Sequence, residues 1–88
     1  MRTEPTTLPN NPAFSSVLRD LIFTIETEGT EAAASYCRNG WLWFRTRAAL
    51  VGWGCEIAES ELRGLGISAE EAETFSEWLW RRAQELET

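Results

Sequence analysis

Histidine and lysine are both missing from this 88-residue chain, and all eight of its cationic side chains are arginines. The chain therefore has no imidazole base and no side-chain amine for general acid–base or covalent catalysis. The two cysteines, Cys37 and Cys55, cannot by themselves complete the tetrahedral ligand set of a zinc site. We expect no catalytic residues, no metal site, no cofactor and no enzymatic activity.

Long apolar runs are also absent. The apolar stretches extend over only a few residues, whereas a membrane-spanning helix needs about 20. The first nine residues, Met-Arg-Thr-Glu-Pro-Thr-Thr-Leu-Pro, lack the apolar core of a secretory signal. The two cysteines are expected to be free thiols, as in most cytosolic proteins. These features predict a cytoplasmic protein with no membrane partner.

Acidic residues outnumber basic ones by 14 to 8, which gives a net charge of −6. This balance disfavours nucleic-acid partners, whose phosphates attract positive charge, and favours a basic protein partner. An acidic face is predicted on the C-terminal helix. The simplest interpretation of this face is a solvated surface, and the alternative is an acidic surface that mimics nucleic acid and approaches a basic groove. Its members are Glu70, Glu73, Glu77 and Glu85.

The length predicts one domain over residues 12–88, preceded by a flexible N-terminal arm over residues 1–11. Asn11 followed by proline is typical of a helix start, and the apolar spacing of three and four residues that follows predicts a helix over 12–27. Gly29 is expected to end this helix. Ser68 and Glu71 form a capping box at the start of the C-terminal helix.

The middle of the chain is harder to assign. Thr30 is expected to cap a short alanine-rich helix, which Asn39-Gly40 would end. Aromatic and β-branched residues then alternate, which predicts two short strands over about 41–47 and 50–57. The expected fold is α+β, with two main helices and a two-stranded β unit. The alternative is an all-α bundle in which the helix continues past Gly40.

Tryptophan and arginine are concentrated between residues 36 and 47, a segment that contains no acidic residue. On a strand, Trp41, Trp43, Arg45 and Arg47 would share one face. Such a face could be structural packing, or it could stack on the bases of single-stranded RNA. We favour protein binding, because tryptophan and arginine most often anchor interfaces.

Five tryptophans are more than so small a core readily buries, so we expect some to be exposed or covered by a partner. Trp78 and Trp80 flank the apolar face of the C-terminal helix on opposite sides. One of them should be at the edge of the core, and we assign Trp80 to the interface. The candidate partner-binding residues are Trp41, Trp43, Arg45, Arg47, Trp53 and Trp80.

About half of the chain, from Phe14 to about Ile57, has a particular order of features. A helix ending in glycine precedes an alanine-rich helix with a tyrosine, an asparagine, an aromatic-Leu-Trp triplet, two arginines and a final Glu-Ile pair. This order resembles a helix–strand stretch of the repeated backbone subunit of the type I-F CRISPR surveillance (Csy) complex. The matching residues are Leu18, Ile25, Gly29, Ala33, Tyr36, Asn39, Trp41, Leu42, Trp43, Arg45, Arg47, Glu56 and Ile57.

The resemblance implies a function by mimicry. An acidic chain this short could keep one packing unit of the subunit and compete with it, as small anti-CRISPR proteins of phages and mobile elements do. The expected partner is then a basic subunit of the CRISPR complex in a bacterial host, whose assembly or nucleic-acid binding would be blocked or reversed. The alternatives are a homodimeric adaptor or regulator of a mobile element and a binder of single-stranded RNA.

Overall fold

Four α-helices make up the regular structure of residues 11–87, the part of the chain that the computed structural model describes, and no strand occurs among them. Their bounds are Pro12–Glu28 (α1), Thr30–Gly52 (α2), Glu56–Gly64 (α3) and Ala69–Glu87 (α4). The predicted α+β fold is therefore wrong, as are both predicted strands, and the all-α alternative is confirmed.

α1 begins and ends where its sequence predicts. The side chain of Asn11 accepts a hydrogen bond from the Ala13 N–H at 2.9 Å, and Pro12 occupies the first helical position. Gly29 ends the helix with a φ of 99°, a conformation that glycine adopts without strain. Apart from Asn11, the predicted N-terminal arm lies outside the described residues.

α4 starts with the predicted capping box. The Glu71 N–H donates to Ser68 Oγ at 3.1 Å, and the Ser68 N–H donates to Glu71 Oε1 at 2.8 Å. Both donors would otherwise lack a partner in the first turn of the helix. The predicted apolar face is confirmed, since these four of its members are fully buried: Ala72, Phe75, Leu79 and Ala83.

α2 continues through Asn39-Gly40 instead of ending there. Its buried side is a stripe of helical spacing in which Ala33, Cys37 and Phe44 are buried. Gly40 lies on this stripe, and a Cβ atom there would be only 2.8 Å from Leu79 Cδ1 of α4. The glycine is therefore a site of close contact between helices, which offsets its poor helix propensity.

α2 and α4 pack side by side in opposite directions. At one end Arg38 forms an ion pair with Glu87. Near the middle the Trp41 and Trp80 rings lie 4.6 Å apart, and Phe44 meets Phe75 at 5.2 Å. This antiparallel pair forms the main body of the fold.

Phe75 lies at the centre of the core and is completely buried. Its ring centroid is 4.0 Å from that of Phe14 in α1, 5.2 Å from that of Phe44 in α2 and 5.9 Å from that of Trp78. α3 is held by the buried side chain of Leu62. The other three helices all lie on the inner side of α2, so its opposite side faces solvent.

We expect Gly40→Ala to lower the free energy of unfolding by about 1 kcal/mol. Alanine favours the helix by about 1 kcal/mol, but overpacking a filled site costs about 1–3 kcal/mol. In a Leu79→Val background, which removes the contacting Cδ1 atom, the same change should become stabilising. Urea denaturation of the four proteins measures both effects.

Gly52→Ala provides the matched control within the same helix, because a Cβ atom at Gly52 would have no neighbour within 4 Å. It should stabilise both backgrounds by up to about 1 kcal/mol. An equal effect of Gly40→Ala in the two backgrounds would show that Leu79 does not restrict this position.

Cys37 is fully buried against α4 and is a free thiol. Burial raises its pKa from 9.0 to about 11, because the thiolate loses solvation, although the guanidinium groups of Arg82 and Arg38 act in the opposite direction. The folded protein therefore holds this thiol proton more tightly than the unfolded chain does.

This pKa difference predicts a loss of stability in alkali. The tighter proton binding by the Cys37 thiol contributes to the free energy of unfolding. This contribution is fully present below the unfolded pKa of 9.0, and it is lost as the pH rises through the folded pKa of about 11. Urea midpoints measured across this interval should decline more steeply for the natural protein than for Cys37→Ala. Identical declines would contradict the assignment.

Candidate protein-binding surface

The helical conformation of α2 divides the predicted Trp/Arg face. Residues two apart on a helix point about 200° away from each other. Trp41 and Arg45, four residues apart, lie on one side of α2, whereas Trp43 and Arg47 lie on another. The four side chains therefore do not form a single contact surface, and this correction follows from the absence of the predicted strand.

Trp41 lies between α2 and α4. It is half-buried, its ring packs on Trp80 at 4.6 Å, and Arg45 Cζ lies 5.8 Å from the ring centroid. Trp80 is 40% exposed, whereas Trp78 is half-buried and packs on Phe75. The Trp41–Trp80 pair closes one edge of the core, and Trp80 is the more exposed of the two rings.

Trp43 and Arg47 close the other edge. Arg47 Cζ lies 4.1 Å from the Trp43 ring centroid, and Arg47 Nε donates to Glu61 Oε1 of α3 at 3.0 Å. Trp43 also lines an apolar groove of about 320 Å³ beside Val17 of α1. These side chains connect α2 to its neighbours, so their main contribution is to the fold.

The predicted acidic face is exposed along α4 at all four positions. Glu85 accepts a hydrogen bond from Arg82 at 2.8 Å, and Arg82 in turn lies 4.9 Å from the Trp78 ring. Glu70 and Glu73 border a groove of about 270 Å³ that they share with Arg45.

Trp53 differs from the other tryptophans because 90% of its surface is exposed. It is the residue that ends α2, and its backbone N–H donates to the carbonyls of Ala49 and Leu50. Gly54 follows with a φ of 88°, which turns the chain towards α3. The turn therefore holds the indole ring in solvent, where it packs on no other ring among the described residues.

Trp53 belongs to a row of exposed residues along the side of α2 that faces away from the other helices. Their spacing of four and three residues confines them to an arc of about 80°. We define the α2 outer face by these six residues, all exposed: Ser35, Asn39, Leu42, Thr46, Ala49 and Trp53.

The C-terminal half of the α2 outer face is apolar. Leu42 is 56% exposed and the adjoining Leu50 is 41% exposed. Trp53, Leu50 and Arg45 line a shallow groove of about 370 Å³. Ile57, at the start of α3, is also 74% exposed. Exposed apolar surface of this kind is typical of a protein-binding site.

Trp53 and Arg45 were among the predicted contact residues, whereas Leu42, Leu50 and Ile57 were not. The available signal was the four–three spacing from Ser35 to Trp53. These residues share one side of the segment if the segment is helical. On the two predicted strands they would not lie on a common side. The exposed apolar side of α2 was therefore not predicted, because the helix itself was not predicted over these residues.

Comparisons with protein-family models, curated proteins and solved structures found no match to this chain. Within residues 11–87, no helix is long and apolar enough to cross a membrane. The same residues contain no cluster of three or more histidine, cysteine, aspartate or glutamate side chains arranged to hold a metal ion.

The exposure of Trp53 predicts that it can be removed at little cost. Trp53→Ala should change the free energy of unfolding by less than about 0.5 kcal/mol, as expected for a surface position. Trp43→Ala should cost about 2 kcal/mol or more, because it removes aromatic and cation–π packing at the edge of the core. Urea denaturation compares the two variants, and a costly Trp53→Ala would contradict the exposed position of the ring.

Proposed function

We propose that this chain acts by binding another protein through the α2 outer face together with Leu50 and Ile57. The observation that carries the proposal is the 90% exposure of Trp53 on the side of α2 that also exposes Leu42 and Leu50. Exposing a tryptophan and several aliphatic side chains costs solubility, and such surfaces are usually covered by a partner. Tryptophan is also the residue most enriched at the energetic centres of interfaces.

We further propose that the partner is the backbone subunit of the type I-F CRISPR surveillance complex, and that binding blocks or reverses assembly or nucleic-acid binding in the host cytoplasm. This identification depends on the resemblance of residues 14–57. Trp41, Trp43 and Arg47 are no longer proposed as contact residues, because their side chains are engaged within the fold. The proposed contacts with the subunit are made by Trp53, Leu42 and Leu50. Inhibition would follow from tighter binding to free or exposed subunits than to assembled ones.

The geometry offers less support for binding single-stranded RNA. Such binding needs exposed rings on which bases stack and unpaired cations for phosphates. Trp41 and Trp43 are half-buried, and Arg47 is paired with Glu61. The central Trp/Arg cluster therefore lacks the open stacking surface that this alternative requires.

Size-exclusion chromatography with the assembled complex tests the proposal. The natural protein should co-elute with the complex or cause it to lose subunits, and Trp53→Ala should greatly reduce either effect. Phe23→Ala is the matched control, because Phe23 is 64% exposed but lies on α1. The Phe23→Ala variant should co-elute with the complex, or cause subunit loss, to the same extent as the natural protein.

The CRISPR assignment is overturned if the natural protein neither co-elutes with the complex nor causes it to lose subunits. Loss of the effect in both variants would indicate a general solubility defect, and an unchanged effect of Trp53→Ala would remove the α2 outer face from the interface.

A further inference from the structure

The residues of the α2 outer face have the spacing of a helix-pairing seam. Successive members are separated by four, three, four, three and four residues. This is the heptad spacing with which one helix packs its side chains into the gaps of another. Core contacts do not explain the row, since all six of its members are exposed.

Side-chain size along the seam creates room for a partner. Leu42 and Trp53 project at either end of the apolar half, while the smaller Thr46 and Ala49 lie between them. Thr46 and Ala49 line the groove of about 370 Å³ together with Trp53. Large apolar side chains from an approaching helix would fill this groove, as in other helix-in-groove complexes.

The charges beside the seam determine what kind of helix fits. Arg38 and Arg45 are seven residues apart and therefore lie on the same edge, and no acidic residue occurs between Ala32 and Cys55. Arg38 pairs with Glu87, but no carboxylate of residues 11–87 forms an ion pair with Arg45. Glu70 and Glu73 border a different groove, of about 270 Å³, which lies between α2 and α4 and is also lined by Arg45.

A second copy of this chain would fit the seam poorly. Two α2 outer faces packed antiparallel would place Arg38 and Arg45 against the same arginines of the other copy. Packed in parallel, they would place these arginines near Trp43 and Leu50, so no acidic group would be available. Like charges along such a seam oppose pairing.

We propose that the α2 outer face receives an amphipathic helix of another protein, whose apolar stripe is bordered by acidic side chains along the Arg45 edge. The inference rests on the proposed function, which assigns this face to partner binding, and adds the shape and charge of the partner segment. A carboxylate beside Arg45 would gain an ion-pair partner, and the apolar stripe would cover Leu42 and Trp53.

Two synthetic helical peptides test the inference. Both carry leucine at the heptad core positions, and they differ only in having glutamate or lysine at the flanking positions. Fluorescence anisotropy of labelled peptide should show the glutamate peptide binding at least about tenfold more tightly at low salt, with the difference shrinking as salt screens the charges.

Variants identify the surface responsible. Arg45→Glu should abolish or reverse the preference, whereas Arg81→Glu, the same charge change at an exposed position on α4, should preserve it. Leu42→Glu should weaken binding of both peptides at least about tenfold, since it places a charge in the apolar contact. Ile22→Glu is its control, because Ile22 is 55% exposed on α1 and Leu42 is 56% exposed.

The inference is overturned if neither peptide binds, if both bind equally or if the lysine peptide binds better. It is also overturned if sedimentation shows a dimer that Leu42→Glu dissociates, which would assign the face to a second copy. Failure here alongside Trp53-dependent binding to the CRISPR complex would leave the proposed function standing. Glutamate-peptide binding without any effect on that complex would support the partner class and reject the CRISPR assignment.

Discussion

The close contact between α2 and α4 at Gly40 is the constraint on which the rest of the structure depends. A side chain at this position would occupy the space that Leu79 fills, 2.8 Å away. Because the two helices approach here, Phe75 reaches both Phe14 of α1 and Phe44 of α2 and forms the centre of the core. The same arrangement places every neighbouring helix on one side of α2.

Tryptophan and arginine, which dominate the middle of the chain, have two separate roles. The pairs Trp41–Arg45 and Trp43–Arg47 are each one helical turn apart, so each ring can lie beneath a guanidinium group. These pairs cover the edges of a core that is too small to enclose whole indole rings. Trp53 has no such partner among the described residues and remains in solvent.

Local sequence signals correctly predicted both ends of α1 and the start of α4. Asn11, Gly29 and the Ser68–Glu71 capping box act through neighbouring residues, so their effects can be inferred without the fold. Gly40 could not be interpreted in this way, because its reason is Leu79, which is distant in sequence. Alternation over 41–47 indicated strands, but burial of the helical stripe from Ala33 to Val51 outweighed local β-propensity. The α2 outer face exists only when this segment is helical, so the predicted strands could not indicate it.

The glycines on either side of Trp53, together with the open side of α2, have an evolutionary consequence. Side chains on this surface bury little area within the molecule, so exchanging them changes folding free energy only slightly. Mutations can therefore accumulate at Leu42, Ala49 or Trp53 while the Phe75 core keeps its packing. A lineage carrying this scaffold could therefore change the chemistry of this surface one substitution at a time without passing through an unfolded variant.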